Sequence, residues 1–177
     1  MIKLGKDVFI HDTAQIVRTE LAVIGNHVAI DYGFYCTTKL EIGDYVHISP
    51  HVAVIGGKLS GLYVEDFCFI SVGSKLVCGS ELFFGDGLIG PLIPEEYKDK
   101  QKIEPIRIKR FAGTLANSVV LPGVTMAEGS VLGGNSLLKK DTEPWTVYAG
   151  NPAKPIRSRD HRKAYEYAEK LGYRYDK

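Results

Sequence analysis

The chain has 177 residues, with 22 Lys and Arg against 21 Asp and Glu for a formal net charge of +1. A hydrophobic share of 45% and a charged share of 24% are ordinary globular values for one domain and exclude a mostly disordered chain. Basic residues are dispersed until the C-terminal fifth, the start MIKLGKDVFIHDTAQ has no apolar leader core, and no stretch approaches the ~18 apolar residues of a membrane span, so a cytoplasmic protein with neither nucleic acid nor membrane as partner is expected.

From the N-terminus onward an aliphatic residue recurs at every sixth position, often followed by Gly, Asp, Glu or Ser. Ile24-Gly25, Ile30-Asp31, Cys36, Ile42-Gly43, Ile48-Ser49 and Val54 form an unbroken series, which resumes at Val64-Glu65, Ile70-Ser71 and Leu76. A later series runs through Ile108, Thr114, Val120, Met126-Ala127, Leu132-Gly133 and Leu138. A period of six matches neither helix nor coiled coil, whereas alternation of period two within each hexad makes a very short strand followed by a turn. Such strands bury their inner faces only against the rungs above and below, which builds a solenoid around a stacked aliphatic column. Cys36, Cys68 and Cys78 are an odd number without a CxxC, as expected of reduced thiols packed as small hydrophobes.

Function belongs where the repeat breaks. The first break is Gly56-Gly57-Lys58-Leu59-Ser60-Gly61, where backbone without Cβ atoms can lie close to a ligand. The second is a long excursion over about residues 79–105, too rich in Pro, Gly and charge to continue a rung and of the length that usually serves function. It holds Gly85-Asp86-Gly87-Leu88-Ile89-Gly90, a literal dinucleotide fingerprint. Pro91 and Pro94 follow at once and no strand-helix-strand pattern surrounds it, so it carries no nucleotide cofactor. The third is the run from Lys139 through Glu143-Pro144-Trp145, Tyr148-Ala149-Gly150 and Pro152-Ala153-Lys154 to Arg157. Residues 158–177 then place Ala164, Tyr167, Ala168 and Leu171 at helical spacing, a short amphipathic helix expected to cap the last rung.

The hexads, with VHISPHVAVIGG, GPLIPEEY, LPGVTMAEGSVLGGNSL and EPWTVYAGNPAKPI, resemble the hexapeptide-repeat acyltransferases, and the last run resembles the closing signature of their sugar acetyltransferase branch. The resemblance implies an all-β fold, a left-handed parallel β-helix over residues 1–157 with the excursion loop and a short C-terminal α-helix over 158–177. It implies acetyl transfer from acetyl-CoA to a hydroxyl or amine of a sugar, plausibly a nucleotide-linked sugar for lipopolysaccharide O-antigen or other surface polysaccharide, by a homotrimer with sites between subunits and no metal. The chain departs from the family pattern at Ser80-Glu81-Leu82, where a second acid is usual, and at Thr114-Leu115, where Ile-Gly is usual.

Acyl transfer from a thioester needs a base, donors for the developing oxyanion, and positioning. Of five histidines, His47 and His51 flank Ile48-Ser49-Pro50 directly before the Gly56-Gly57 break. His47 is the expected base and His51 the second candidate, with Asp31, Asp44 or Glu65 available to orient the ring. Gly113, Ala116, Gly134 and Asn135 are expected along the pantetheine arm, and Lys139, Lys140, Lys154 and Arg157 at the nucleotide phosphates. Gly56, Gly57, Glu81 and Tyr97 are expected at the acceptor. Two alternatives remain on the same architecture: a non-catalytic assembly module that binds no coenzyme A, and a zinc carbonic-anhydrase-like enzyme, which needs a third histidine.

Overall fold

The computed structural model describes residues 1–175. Each coil of the chain contributes one strand to each of three parallel sheets, so the strands stack into a three-sided prism. The first face collects Lys3–Leu4, Ala22–Ile24, Lys39–Ile42, Gly61–Val64, Ile106–Ile108 and Thr125–Met126. The second collects Phe9–Ile10, Ala29–Ile30, His47–Ile48, Phe69–Ile70, Gly113–Thr114, Val131–Leu132 and Thr146–Gly150, on which Ala153–Ser158 folds back antiparallel. The third collects Gln15–Ile16, Tyr35–Cys36, Ala53–Ile55, Lys75–Val77, Val119–Val120 and Leu137–Leu138.

The hexad residues point inward. Ile30, Ile48, Ile70 and Leu132 are fully buried on the second face, and Cys36, Val54, Leu76 and Val120 on the third. Each such aliphatic side chain contributes about 1.5–3 kcal/mol relative to an exposed one. Thr114 interrupts the second-face column, and its hydroxyl lies 2.9 Å from that of Ser74, which also donates to the Leu115 carbonyl. The threonine therefore fits because it has a buried partner. All three cysteines are free and buried, and burial pushes the thiols up, to about 11 for Cys36 and about 12 for Cys78, so they stay inert.

The excursion leaves the stack without disturbing it. Leu62 and Val64 pair directly with Ile106 and Ile108, while Gly79–Glu81 and Gln101–Ile103 form a separate antiparallel ribbon at the loop's root.

The edge between the first and second faces carries a ladder that sequence reading missed. His27, Tyr45, Phe67, Phe111 and Trp145 each sit at positive φ, between 51° and 61°, the first four at successive levels. Their rings follow one another at centroid distances of 4.5, 5.2, 5.4 and 5.7 Å. Between Phe111 and Trp145 the level belongs to Gly129 (φ 66°), where a Cβ would enter the Trp145 ring. The helix Arg162–Lys170 and residues 171–175 meet this edge through Tyr165, Tyr173 and Tyr175. Tyr165 packs on Phe111 and Trp145. Tyr173 packs edge-on against Tyr45 and Phe67, with its hydroxyl donating to Asp44 at 2.6 Å. Tyr175 does the same to Asp66, also at 2.6 Å.

Candidate active site

His47 begins its second-face strand between Ala29 below and Phe69 above, and its side chain points outward and is exposed. Its Nε2 lies 2.9 Å from Oδ2 of Asp31, one coil below. A carboxylate only accepts, so Asp31 fixes the proton on Nε2 and leaves Nδ1 as the basic nitrogen. The other two candidate acids are committed elsewhere. Glu65 holds Lys109 Nζ at 2.7 Å and accepts the Arg110 N–H. At Asp44, burial raises the carboxyl, but hydrogen bonds from the Asn26 N–H, the Tyr173 hydroxyl and the Asn26 amide outweigh it and hold it below its usual range. His51 stands at the edge between the second and third faces with φ 57°, edge-on to Tyr32 at 4.5 Å. It has no ion-pair partner among the described residues, whereas His47 has Asp31. Nor do three His, Cys, Asp or Glu side chains converge on a metal-sized site among the described residues.

Three of the four acceptor candidates come together. Gly56, Gly57 and Glu81 line one cavity of about 280 Å³ at the edge between the third and first faces, with Ser80, Pro91, Lys98, Gln101 and Ile103. Tyr97, exposed in the turn Glu95–Tyr97, stands beside it and does not line it. Lys98 and Gln101 went unnoticed in the sequence because only the folded excursion brings them to this cavity, Gln101 opposite Glu81 in the ribbon and Lys98 through its bridge to Leu88.

The coenzyme candidates separate into four groups. Lys139, Lys140 and Lys154 line a cavity of about 300 Å³ whose floor is Leu138, Tyr148, Pro152, Ala153 and Pro155. None of the three lysines is ion-paired among the described residues. Ala116, Gly134 and Asn135 share the edge between the second and third faces, where the Asn135 N–H donates to the Ala116 carbonyl at 2.9 Å. Gly113 is buried against Phe69, and its N–H is spent on the Ser130 carbonyl, so its amide is not offered outward. Arg157 is exposed on the return strand Ala153–Ser158.

The base candidate His47 and the cavity lined by Gly56, Gly57 and Glu81 are on opposite sides of the prism. His47 projects from the second face, whereas Gly56, Gly57 and Glu81 occupy the edge where the third face meets the first. In a three-sided prism that edge is opposite the second face. A groove of about 850 Å³ along the first face beside Tyr63, Arg107 and Tyr175 contains neither candidate histidine and none of the acceptor candidates.

No family model matches the sequence. A dTDP-4-amino-4,6-dideoxy-D-glucose acyltransferase of Escherichia coli is 32% identical over 162 residues, 88% of this chain and 81% of the relative. The chain belongs to the hexapeptide-repeat acyltransferases. Among solved structures, the N-acyltransferase AntD of Bacillus cereus with dTDP and 3-hydroxybutyryl-CoA is similar, with a TM-score of 0.88 and 31% identity over 95% of this chain and 88% of that one. AntD with dTDP-4-amino-4,6-dideoxyglucose and coenzyme A gives 0.88 and 29% over 96% and 90%. The present hexapeptide-repeat enzyme is thus an acyltransferase that moves an acetyl group from acetyl-CoA to a hydroxyl or amine of a sugar. That membership overturns the reading as a non-catalytic module.

Proposed function

We propose that the enzyme N-acetylates a nucleotide-linked amino sugar, and that it does so as a homotrimer in the cytoplasm, supplying sugar for surface polysaccharide. The observation that carries the proposal is the opposition of His47 and the Gly56-Gly57-Glu81 cavity. One chain cannot bring them to one acceptor, whereas a ring of identical subunits sets the second face of each against the cavity-bearing edge of the next. The excursion supports this arrangement, since Leu82, Phe83, Phe84, Leu88, Ile89 and Leu92 are exposed and a neighbouring copy would cover them. An amine acceptor and a dTDP carrier are supported by the relatives, whose names specify a dTDP-linked 4-amino sugar.

In the reaction, the amine nitrogen attacks the thioester carbonyl carbon. His47 Nδ1 takes the proton that this nitrogen sheds, the C–S bond breaks, and the proton passes to the departing thiolate, giving the amide and free coenzyme A. Asp31 steadies the imidazole throughout. Lys139, Lys140 and Lys154 hold the nucleotide phosphates of the donor. Among the described residues no helix is long and apolar enough to cross a membrane.

The test mixes two defective chains. His47→Asn and Glu81→Gln are each expected to be nearly inactive in a thiol-release assay with acetyl-CoA and a dTDP-linked 4-amino sugar. Refolded together in equal amounts, they should recover about a quarter of wild-type activity, because about a quarter of the interfaces then combine two intact halves. No recovery in a mixture shown to form hybrid oligomers overturns the shared site.

A further inference from the structure

The acceptor cavity contains two side chains of opposite charge, Glu81 and Lys98, that do not pair with each other. Glu81 makes no ion pair among the described residues, and Lys98 Nζ instead meets Glu95 at 2.8 Å. That pair is lopsided: the Lys98 side chain is 18% exposed and that of Glu95 83%. The other ion-paired lysines Lys39, Lys100, Lys102, Lys109 and Lys170 are 38% to 69% exposed. An ion pair with a solvated carboxylate contributes little, too little to explain why this lysine side chain is so covered. Glu95 alone does not account for where Lys98 is held.

The backbone at Lys98 is fixed. The Leu88 N–H donates to the Tyr97 carbonyl at 2.7 Å, and the Asp99 N–H to the Leu88 carbonyl at 3.0 Å. Gly87 lies so close to the Lys98 backbone that a Cβ there would overlap it. Below it the buried Asp99 carboxylate accepts the Gly85 and Lys100 N–H groups at 3.1 and 2.7 Å. The loop thus presents Lys98 in a preset position, which lowers the ordering cost of binding.

A cavity of about 280 Å³ is at the small end of ligand sites, enough for one sugar ring and too small for a nucleotide. Its opposite charges call for a ligand that carries both an amine and an anion. Resting on the acceptor proposed above, we infer that Lys98 is the residue that selects a nucleoside diphosphate-linked acceptor, its ammonium exchanging Glu95 for the phosphate joined to the sugar while Glu81 faces the amine. Free amino sugars lack that anion and gain nothing from it.

The test uses the full chain with dTDP and coenzyme A as separate calorimetric probes. Lys98→Gln and Lys98→Met should each weaken dTDP binding at least ~10-fold, leave coenzyme A binding unchanged, and raise KM for a dTDP-linked amino sugar with little change in kcat. Lys98→Arg should retain dTDP binding, and Glu95→Gln should leave it equal or tighter. Folding of each variant is read from its thermal transition and its coenzyme A binding. Wild-type dTDP affinity in both neutral variants overturns the role of Lys98 and leaves the acceptor reading standing. A wild-type protein that binds coenzyme A but not dTDP overturns the acceptor reading, and this inference with it.

Discussion

Asp31 and His47 are joined across neighbouring coils by a 2.9 Å contact between Oδ2 and Nε2 on the solvent side of the second face. Asp31→Asn replaces an acceptor with a group that can donate, so the imidazole loses its fixed proton on Nε2. The expected result is a fall in kcat of about 10- to 100-fold, inside the range of general-base contributions, with KM nearly unchanged. Steady-state kinetics and the pH–rate profile check it. Unaltered turnover would remove the pair from the mechanism.

Lys139, Lys140 and Lys154 surround one cavity with an apolar floor. Replacing all three with Ala should weaken coenzyme A binding by at least ~10-fold and flatten its dependence on salt, since screening acts on exposed charge pairs. Calorimetry at low and high ionic strength measures both. Equal affinity in the triple variant would place the nucleotide elsewhere.

The Tyr173 hydroxyl donates to Asp44, and this bond, with burial and the negative charge of Asp44 also contributing, raises the phenol from its ordinary 10 to about 12. A folded-state value above the unfolded one gives stability that is complete below pH 10 and is lost as pH climbs through about 12. Thermal melts over that interval should fall more steeply for wild type than for Tyr173→Phe, which is already less stable at neutral pH. Parallel curves would show that the hydroxyl contributes nothing.

Gly129→Ala puts a methyl group into the Trp145 ring at a backbone φ of 66°. The combined strain and displacement should cost about 2–4 kcal/mol, a Tm decrease of about 5–15 °C for a domain of this size. Calorimetry measures the loss, and the emission of Trp145, the sole tryptophan, reports whether the ring has moved.

The prism was legible because burial in a stacked coil forces the same side-chain type at every sixth position, and Ile30, Ile48 and Leu76 answer to that rule directly. His47 was a candidate from its neighbours along the chain. Its carboxylate partner was not, because Asp31 is 16 residues away and comes beneath it only through the coil length. Asp44 and Glu65 looked equivalent in sequence, and only the structure shows them already bound to Tyr173 and Lys109. The aromatic ladder escaped notice for a related reason. Tyr45, Phe67 and Phe111 recur once per coil but not at one fixed interval, since the turn at Gly56 and the excursion lengthen two of the coils. Helical spacing in the tail revealed an apolar face without naming its target.

Because Val64 stacks on Ile108 as though nothing intervened, the intervening segment behaves as an exchangeable module. Its length and chemistry can be rewritten between Cys78 and Ile106 while the scaffold keeps its alignment and the donor cleft at the far end stays untouched. New acceptor preferences on this framework should therefore arise first by swapping that module, leaving thioester use unaltered.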